Sequence, residues 1–131
     1  EGVIWDEDGF RVRALGNRHM GEPGPGEGFK SFSFRIEAGD RSVAHSGDVR
    51  HVSELAPLMS GGCDLLLMET GHHKVEDVCA WLMGCGLEFG RLGLFHHGRA
   101  VLADPGAELA KTRVLGEGRA FVAEDGMTVE V

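Results

Sequence analysis

The chain has no tyrosine, little cysteine, no long apolar run and a shortage of positive charge. Each absence excludes something. Its three cysteines, Cys63, Cys79 and Cys85, are an odd number with no Cys-x-x-Cys pair. They read as small buried hydrophobes in a reducing compartment, not as a disulfide framework. No stretch approaches the ~18 apolar residues of a membrane-spanning helix. No basic start precedes an apolar segment either, so no targeting leader is expected and a cytoplasmic location is the default. Lysine and arginine total 13 against 21 acidic residues, a net charge of −8. That balance disfavours non-specific nucleic-acid binding. It would be partly offset if acids and histidines held divalent metal. No internal repeat stands out.

What is plentiful is glycine, 21 in 131 residues, mostly at strand ends where tight turns join short elements. The length suits a single domain over residues 1–131. Three apolar runs dominate the middle of the chain. Arg41 to Asp48 reads as a buried strand centred on Val43 and Ala44 that stops at a glycine and presents a carboxylate. Asp64 to Met68 ends in Glu69, with His72 and His73 just beyond, and Leu92 to Phe95 ends in His96 and His97. In α/β sheets the C-terminal edge of the strands is where ligands gather.

In chain order, Gly2 to Trp5 and Gly9 to Leu15 suggest a hairpin turning at Asp6 to Gly9. Phe10, Val12 and Ala14 alternate with Arg11 and Arg13, so one face is wet. His19 follows, and then a loop-like segment, Met20 to Gly28, of the kind that often borders a site. Phe29, Phe32, Phe34 and Ile36 suggest another strand, turning at Ala38 to Asp40 into the Arg41 to Ser46 strand. His51 to Ser60 carries Val52, Leu55, Ala56 and Met59 at helical spacing, and Gly61-Gly62 ends it. Leu65 to Met68 lacks polar alternation and reads as buried on both faces. Val75 to Cys85 is an amphipathic helix, and Gly86 to Phe95 returns to a strand. That order implies a right-handed crossover and a parallel pair. Asp104-Pro105 reads as an N-cap and first helical proline of a short helix to Lys111. A hairpin closes the chain: Arg119 to Ala123, a turn at Glu124 to Gly126, then Met127 to Val131.

The candidate ligands are His19, Asp48 and His96, with His72 and Glu69 in support. Imidazole and carboxylate suit zinc, manganese or iron. A carboxylate at Asp48 can bridge two ions about 3.5–4 Å apart, which then activate a water. Glu69 and His72 would form an orienting pair, the histidine protonating a leaving group. Plainer readings stand beside these. His19 can be a surface histidine next to a loop, and Asp48 can cap the following helix. His72-His73 can be a solvated helix start, and His96-His97 a hydrogen-bonded strand end. The set is favoured because four strand ends in one short chain carry such residues.

From Gly2 to Val131 the chain resembles the C-terminal half of a metallo-β-lactamase-fold hydrolase, nearest to the ribonuclease Z-like branch. The segment Gly2 to Ala14 before His19 resembles the hairpin leading to the third metal motif, and Ser46-Gly47-Asp48 the bridging-aspartate motif. Asp64 to Thr70 resembles the strand ending in His-Glu-Ala-Thr, with Met68 in the place of that histidine. His72 to Val78 resembles the histidine opening the next helix. Arg91 to His96 resembles the strand ending in the last metal histidine, and Val122 to Met127 the closing hairpin.

The resemblance implies an α/β fold, half of an αββα sandwich, with a mixed sheet and helices on one face. It implies hydrolysis at a centre of two divalent metals, zinc first, manganese or iron as alternatives. His19 and His96 would each bind one ion and Asp48 would bridge. His72 would be a proton donor or phosphate contact with Glu69 as its partner, and His73 and His97 are the alternatives in register. The family's first motif, His-x-His-x-Asp-His, does not occur in this sequence, and Val49 stands where threonine is common. Only residues 20–47 separate His19 from Asp48, too few for the RNA-binding arm of the ribonuclease branch, so processing of tRNA ends is not expected.

The expected partner is therefore the missing N-terminal half, in a separate chain or in upstream residues, or else a second copy of this chain. Phe29, Phe32, Phe34, Leu65 and Leu67 are candidates for the face it would cover. The expected substrate is a small molecule or nucleotide-type ester, phosphodiester first; no membrane is expected. The alternative is a non-catalytic half-fold serving as an oligomerisation or interaction module.

Overall fold

The computed structural model describes residues 1–131. Seven strands form one sheet in sequential order: β1 (Gly2–Glu7), β2 (Phe10–Asn17), β3 (Ser31–Ala38), β4 (Arg41–His45), β5 (Cys63–Thr70), β6 (Phe89–His97) and β7 (Ala120–Val122). The first four strands meander antiparallel, and β4 to β7 run parallel. The change of direction follows from the connections. Two-residue turns at Asp8-Gly9 and Gly39-Asp40 can only reverse the chain and the loop of residues 18–30 brings β3 back antiparallel to β2, whereas each parallel step needs a crossover long enough to hold a helix.

The β1–β2 turn is tighter than expected. Only Asp8 and Gly9 lie outside the strands, both at positive φ (52° and 76°), the conformation a two-residue hairpin turn requires. Between β4 and β5 a 3-10 turn (Val52–Leu55) leads into α1 (Ala56–Met59). The single helix expected over His51 to Ser60 is thus divided, because Pro57 has no N–H with which to continue the ladder. His51 opens this segment with a reciprocal cap, its ring accepting from Ser53 N while Glu54 accepts from His51 N.

The helix α2 (Val75–Gly84) joins β5 to β6, which pair in parallel as expected. The short α3 (Arg99–Ala103) was not legible in the sequence, since five residues without a side-chain cap carry too little pattern. Then α4 (Pro105–Lys111) starts as read, with Asp104 accepting from Ala107 N at 2.9 Å.

The closing hairpin does not form. β7 pairs in parallel with β6, and Met127 to Val131 are in no strand, although Met127 N still bonds Glu124 O across the expected turn. The ladder ends at Ala123, whose carbonyl is taken by the His97 ring. A returning strand would have only the three residues of β7 to pair with, too few bonds to offset ordering five more residues.

All the helices pack on one side of the sheet. Ala44, Leu66, Met68, Leu92 and Leu94 meet Val52, Leu55, Met59, Val75, Val78, Leu82, Val101 and Leu115 in one buried cluster. Arg35 shares this face and is itself buried, donating to Leu58 O and Gly62 O and so fastening β3 to the end of α1. Strand alternation and register put Phe32, Phe34, Ile36, Val43, Leu65, Leu67, Phe95 and Phe121 on the opposite face. None of these belongs to the helix-packed cluster, and all but Leu65 remain partly exposed. No helix of the structure is long and apolar enough to cross a membrane.

Candidate metal centre

The C-terminal ends of β4, β5 and β6, together with the end of β2, meet at one edge of the sheet. His19 follows β2. Its backbone N–H donates to Asn17 Oδ1 at 3.1 Å, while the buried Asn17 amide donates to Ser33 Oγ, so the turn carrying His19 is tied to β3.

Asp48 is delivered by a sharp turn after β4. Gly47 has φ 55°, and a Cβ there would stand 2.3 Å from Phe32 O, so only glycine fits. Gly47 N donates to His45 Nδ1 at 3.0 Å, and Ser46 Oγ donates to Gly47 O at 2.6 Å. The same serine oxygen accepts from Glu69 N at 3.0 Å, which locks the end of β5 to the Asp48 turn.

The two carboxylate oxygens of Asp48 face different histidines. Oδ1 lies 3.7 Å from His96 Nε2 and Oδ2 4.0 Å from His19 Nε2. The ligand atoms of His19, Asp48 and His72 all lie within 4.8 Å of one another. The His72 ring stands 4.6 Å from that of His19 and 5.6 Å from that of His96, centre to centre. Residues 19, 48, 72 and 96, distant in sequence, therefore share one site. His72, read in the sequence as a proton donor, sits inside the compact trio; His96 borders it through Asp48.

Glu69 lies behind this group and is fully buried. Its carboxylate accepts from His72 N at 2.9 Å and faces His72 Nδ1 at 3.0 Å. A carboxylate on Nδ1 fixes the tautomer and leaves Nε2 directed away from Glu69.

Of the neighbouring histidines, His73 also reaches Glu69, its Nε2 3.4 Å from the Oε1 that faces His72. His73 Nε2 lies 3.0 Å from Val49 O, and His97 Nε2 2.7 Å from Ala123 O. Both rings face a backbone carbonyl, whereas His72 and His96 lie beside Asp48 and His19. His96 reaches the site at a cost: its φ is 48°, a left-handed conformation rare outside glycine. Gly71 makes room, since a Cβ there would stand 2.6 Å from the His96 ring.

Of three supporting residues, Asn17 and His45 are not singled out by sequence reasoning, and Ser46 enters it only as part of Ser46-Gly47-Asp48. For Ser46 the signal was its place before Gly47-Asp48; for Asn17 and His45 the sequence holds none. Burial holds the His45 imidazole below its usual 6.5, against the upward pull of the Asp48 charge. Its ring packs on Phe95 at 4.5 Å.

Two imidazoles or three around a carboxylate, with a second carboxylate fixing one ring, is a donor set that fits zinc, manganese or iron. No protein-family model matches the chain, and no curated protein matches it. Solved structures do. The metallo-β-lactamase fold protein YhfI from Bacillus subtilis superposes with a TM-score of 0.70 at 19% identity, over 96% of this chain and 52% of that one. Zn(2+)-bound PqqB from Methylobacterium extorquens gives 0.61 at 21% identity, over 98% of this chain and 50% of that one. The chain has the metallo-β-lactamase fold and spans about half the length of these structures.

Proposed function

We propose that this chain supplies one half of a metal-dependent hydrolase that cleaves a phosphodiester or related ester of a small or nucleotide-type molecule. The observation that carries the reading is the position of Asp48 between His19 and His96, one carboxylate oxygen toward each. That arrangement suits an acid shared by two ions.

His19 and His96 would each hold one ion and Asp48 would bridge, with zinc first among the candidates. The ions, when bound, supply Lewis acidity and an activated water. The rest falls to the chain's own groups. Glu69 holds His72 so that its Nε2 can pass a proton to the departing oxygen, the carboxylate stabilising the imidazolium that donates it. Gly71 and the strained His96 backbone keep the opposite wall in place.

This half offers too few ligands for two ions alone. The chain's match to about half of its structural neighbours and the half-buried apolar face of the sheet that no helix covers support a partner: the other half of the sandwich, in upstream residues or a separate chain, or a second copy. A ribonuclease Z-like substrate rests on the sequence motifs alone.

The test is metal analysis of the chain with its partner half, before and after Asp48→Ala. Stoichiometric metal that disappears with the substitution, together with loss of ester hydrolysis, is expected. Protein without bound metal, or metal unaffected by Asp48→Ala, would overturn the reading. The half-buried apolar sheet face also suits a second reading, a non-catalytic assembly module. That reading requires association that a chelator leaves unchanged and no hydrolysis with metal restored.

A further inference from the structure

All but four of the 13 basic side chains are already engaged, by a carboxylate within 4.0 Å or by stacking on a phenyl ring. The four left over are Arg13, Arg50, Lys74 and Arg99. Arg13 lies exposed on β2. The other three follow the site residues on their own loops: Arg50 after Asp48, Lys74 after His72, Arg99 after His96. In a chain of net charge −8, unpaired cations gathered on three strand-end loops are out of keeping with the surface around them.

Two of them line a cavity. A pocket of about 300 Å³ is bounded by Thr70, His72, His73, Lys74, Arg99 and Lys111, along with Glu76 and Glu108. Both carboxylates are held by Lys111, at 2.9 and 2.7 Å. Lys74 and Arg99 have no carboxylate within 4.0 Å, and with three cations against two carboxylates the lining is net positive in a cavity that has His72 as part of its wall. Its size is at the small end for ligand pockets. A larger groove of about 1120 Å³ lies at the other end of the sheet, but its arginines are engaged: Arg11 by Asp6, Arg35 by Glu37, Arg41 by Asp64, and Arg119 by backbone carbonyls.

We infer that the cavity beside His72 takes a compact oxyanion of the substrate, a terminal phosphate or carboxylate, held by Lys74 and Arg99 while the bond to be cleaved lies at Asp48. The inference rests on the proposed hydrolytic reading for the identity of the ligand as substrate. Lysine offers a point charge and arginine a planar fork of donors, a combination that suits a small anion with several oxygens. With Lys111 paired to Glu76 and Glu108, the anion is left to Lys74 and Arg99, and His72, the proton donor of the proposed reaction, lines the same cavity.

The experiment is titration of the full chain with inorganic phosphate, and separately with acetate, in the presence of a chelator, followed through backbone amide resonances. Saturable shifts are expected in residues 70–76 and 98–101. Lys74→Ala and Arg99→Ala are each expected to weaken binding about tenfold, the loss of one charge-assisted contact. Arg13→Ala is expected to change nothing. Both substituted side chains are exposed, and the same spectra report whether the fold persists. The tighter of the two anions names the oxyanion. No saturable shifts with either, or equal weakening by Arg13→Ala, would overturn the inference. Because neither metal nor turnover enters the measurement, such a result would leave the hydrolytic reading standing, and loss of the hydrolytic reading would leave an anion site.

Discussion

Glu69, with no exposed surface, holds His72 at two points: the backbone N–H at 2.9 Å and the ring Nδ1 at 3.0 Å. Burying a carboxylate is costly unless it is paired or bonded; here it is bonded to His72 and has His73 Nε2 at 3.4 Å as well. Glu69→Gln keeps the volume and an acceptor but removes the charge that stabilises an imidazolium. Hydrolysis is expected to fall about 10–100-fold with metal content retained. His72→Ala is expected to lower the rate by about 10²–10⁴, again with metal retained. Metal lost from His72→Ala would make His72 a ligand instead of the proton donor.

Gly47→Ala tests the turn that delivers Asp48. The added methyl would meet Phe32 O at 2.3 Å, and φ of 55° is itself unfavourable for alanine. A destabilisation of about 1–3 kcal/mol is expected in denaturant titrations. Metal affinity should fall too, because relieving the clash displaces Asp48. Wild-type stability in Gly47→Ala would mean the turn is looser than described.

His45 makes stability depend on pH. Burial lowers its folded pKa below the usual 6.5, so below that value the unfolded chain binds the proton more readily. Stability from the neutral ring is fully present above pH 6.5 and is lost as pH falls through the lower, folded value. His45→Asn keeps an acceptor for Gly47 N without the titration. The thermal midpoint of the wild type should therefore drop more than that of His45→Asn as pH is lowered from 7. Parallel pH profiles for the two would remove His45 as the cause.

Leu66 and Leu67 are adjacent on β5 and face opposite ways, the first inside the helix-packed cluster, the second half-buried on the face without helices. Leu66→Ala is expected to cost about 2–5 kcal/mol. Leu67→Ser should cost the isolated chain far less, yet weaken its association with a partner half or second copy in light scattering. Equal effects of the two substitutions on stability would show that both faces are covered within the chain.

Much of this architecture is readable before any coordinates. Alternation in Phe10 to Ala14, the apolar runs at Val43, Leu65 and Leu92, and Asp104-Pro105 before α4 all state local preferences that the fold respects. The closing hairpin failed because turn chemistry at Glu124 to Gly126 says nothing about whether an edge exists to receive the next strand. The apolar spacing over His51 to Ser60 suits a single helix, and a 3-10 turn followed by α1 satisfies it equally well, with Pro57 deciding between them. Neither α3 nor the supporting roles of Asn17 and His45 had a local signature.

The sequence alone determined which residue types stand at the ends of the strands, because apolar runs and glycine turns fix where strands stop. Only the tertiary structure decided which of them meet. His72 and His73, like His96 and His97, are chemically identical neighbours. Which of each pair lies beside Asp48 and which faces a backbone carbonyl depends on a left-handed backbone at His96 and on carbonyls at Val49 and Ala123 that lie far away in the chain. Contacts between distant segments are set by sheet register and packing, and no single stretch of sequence encodes them.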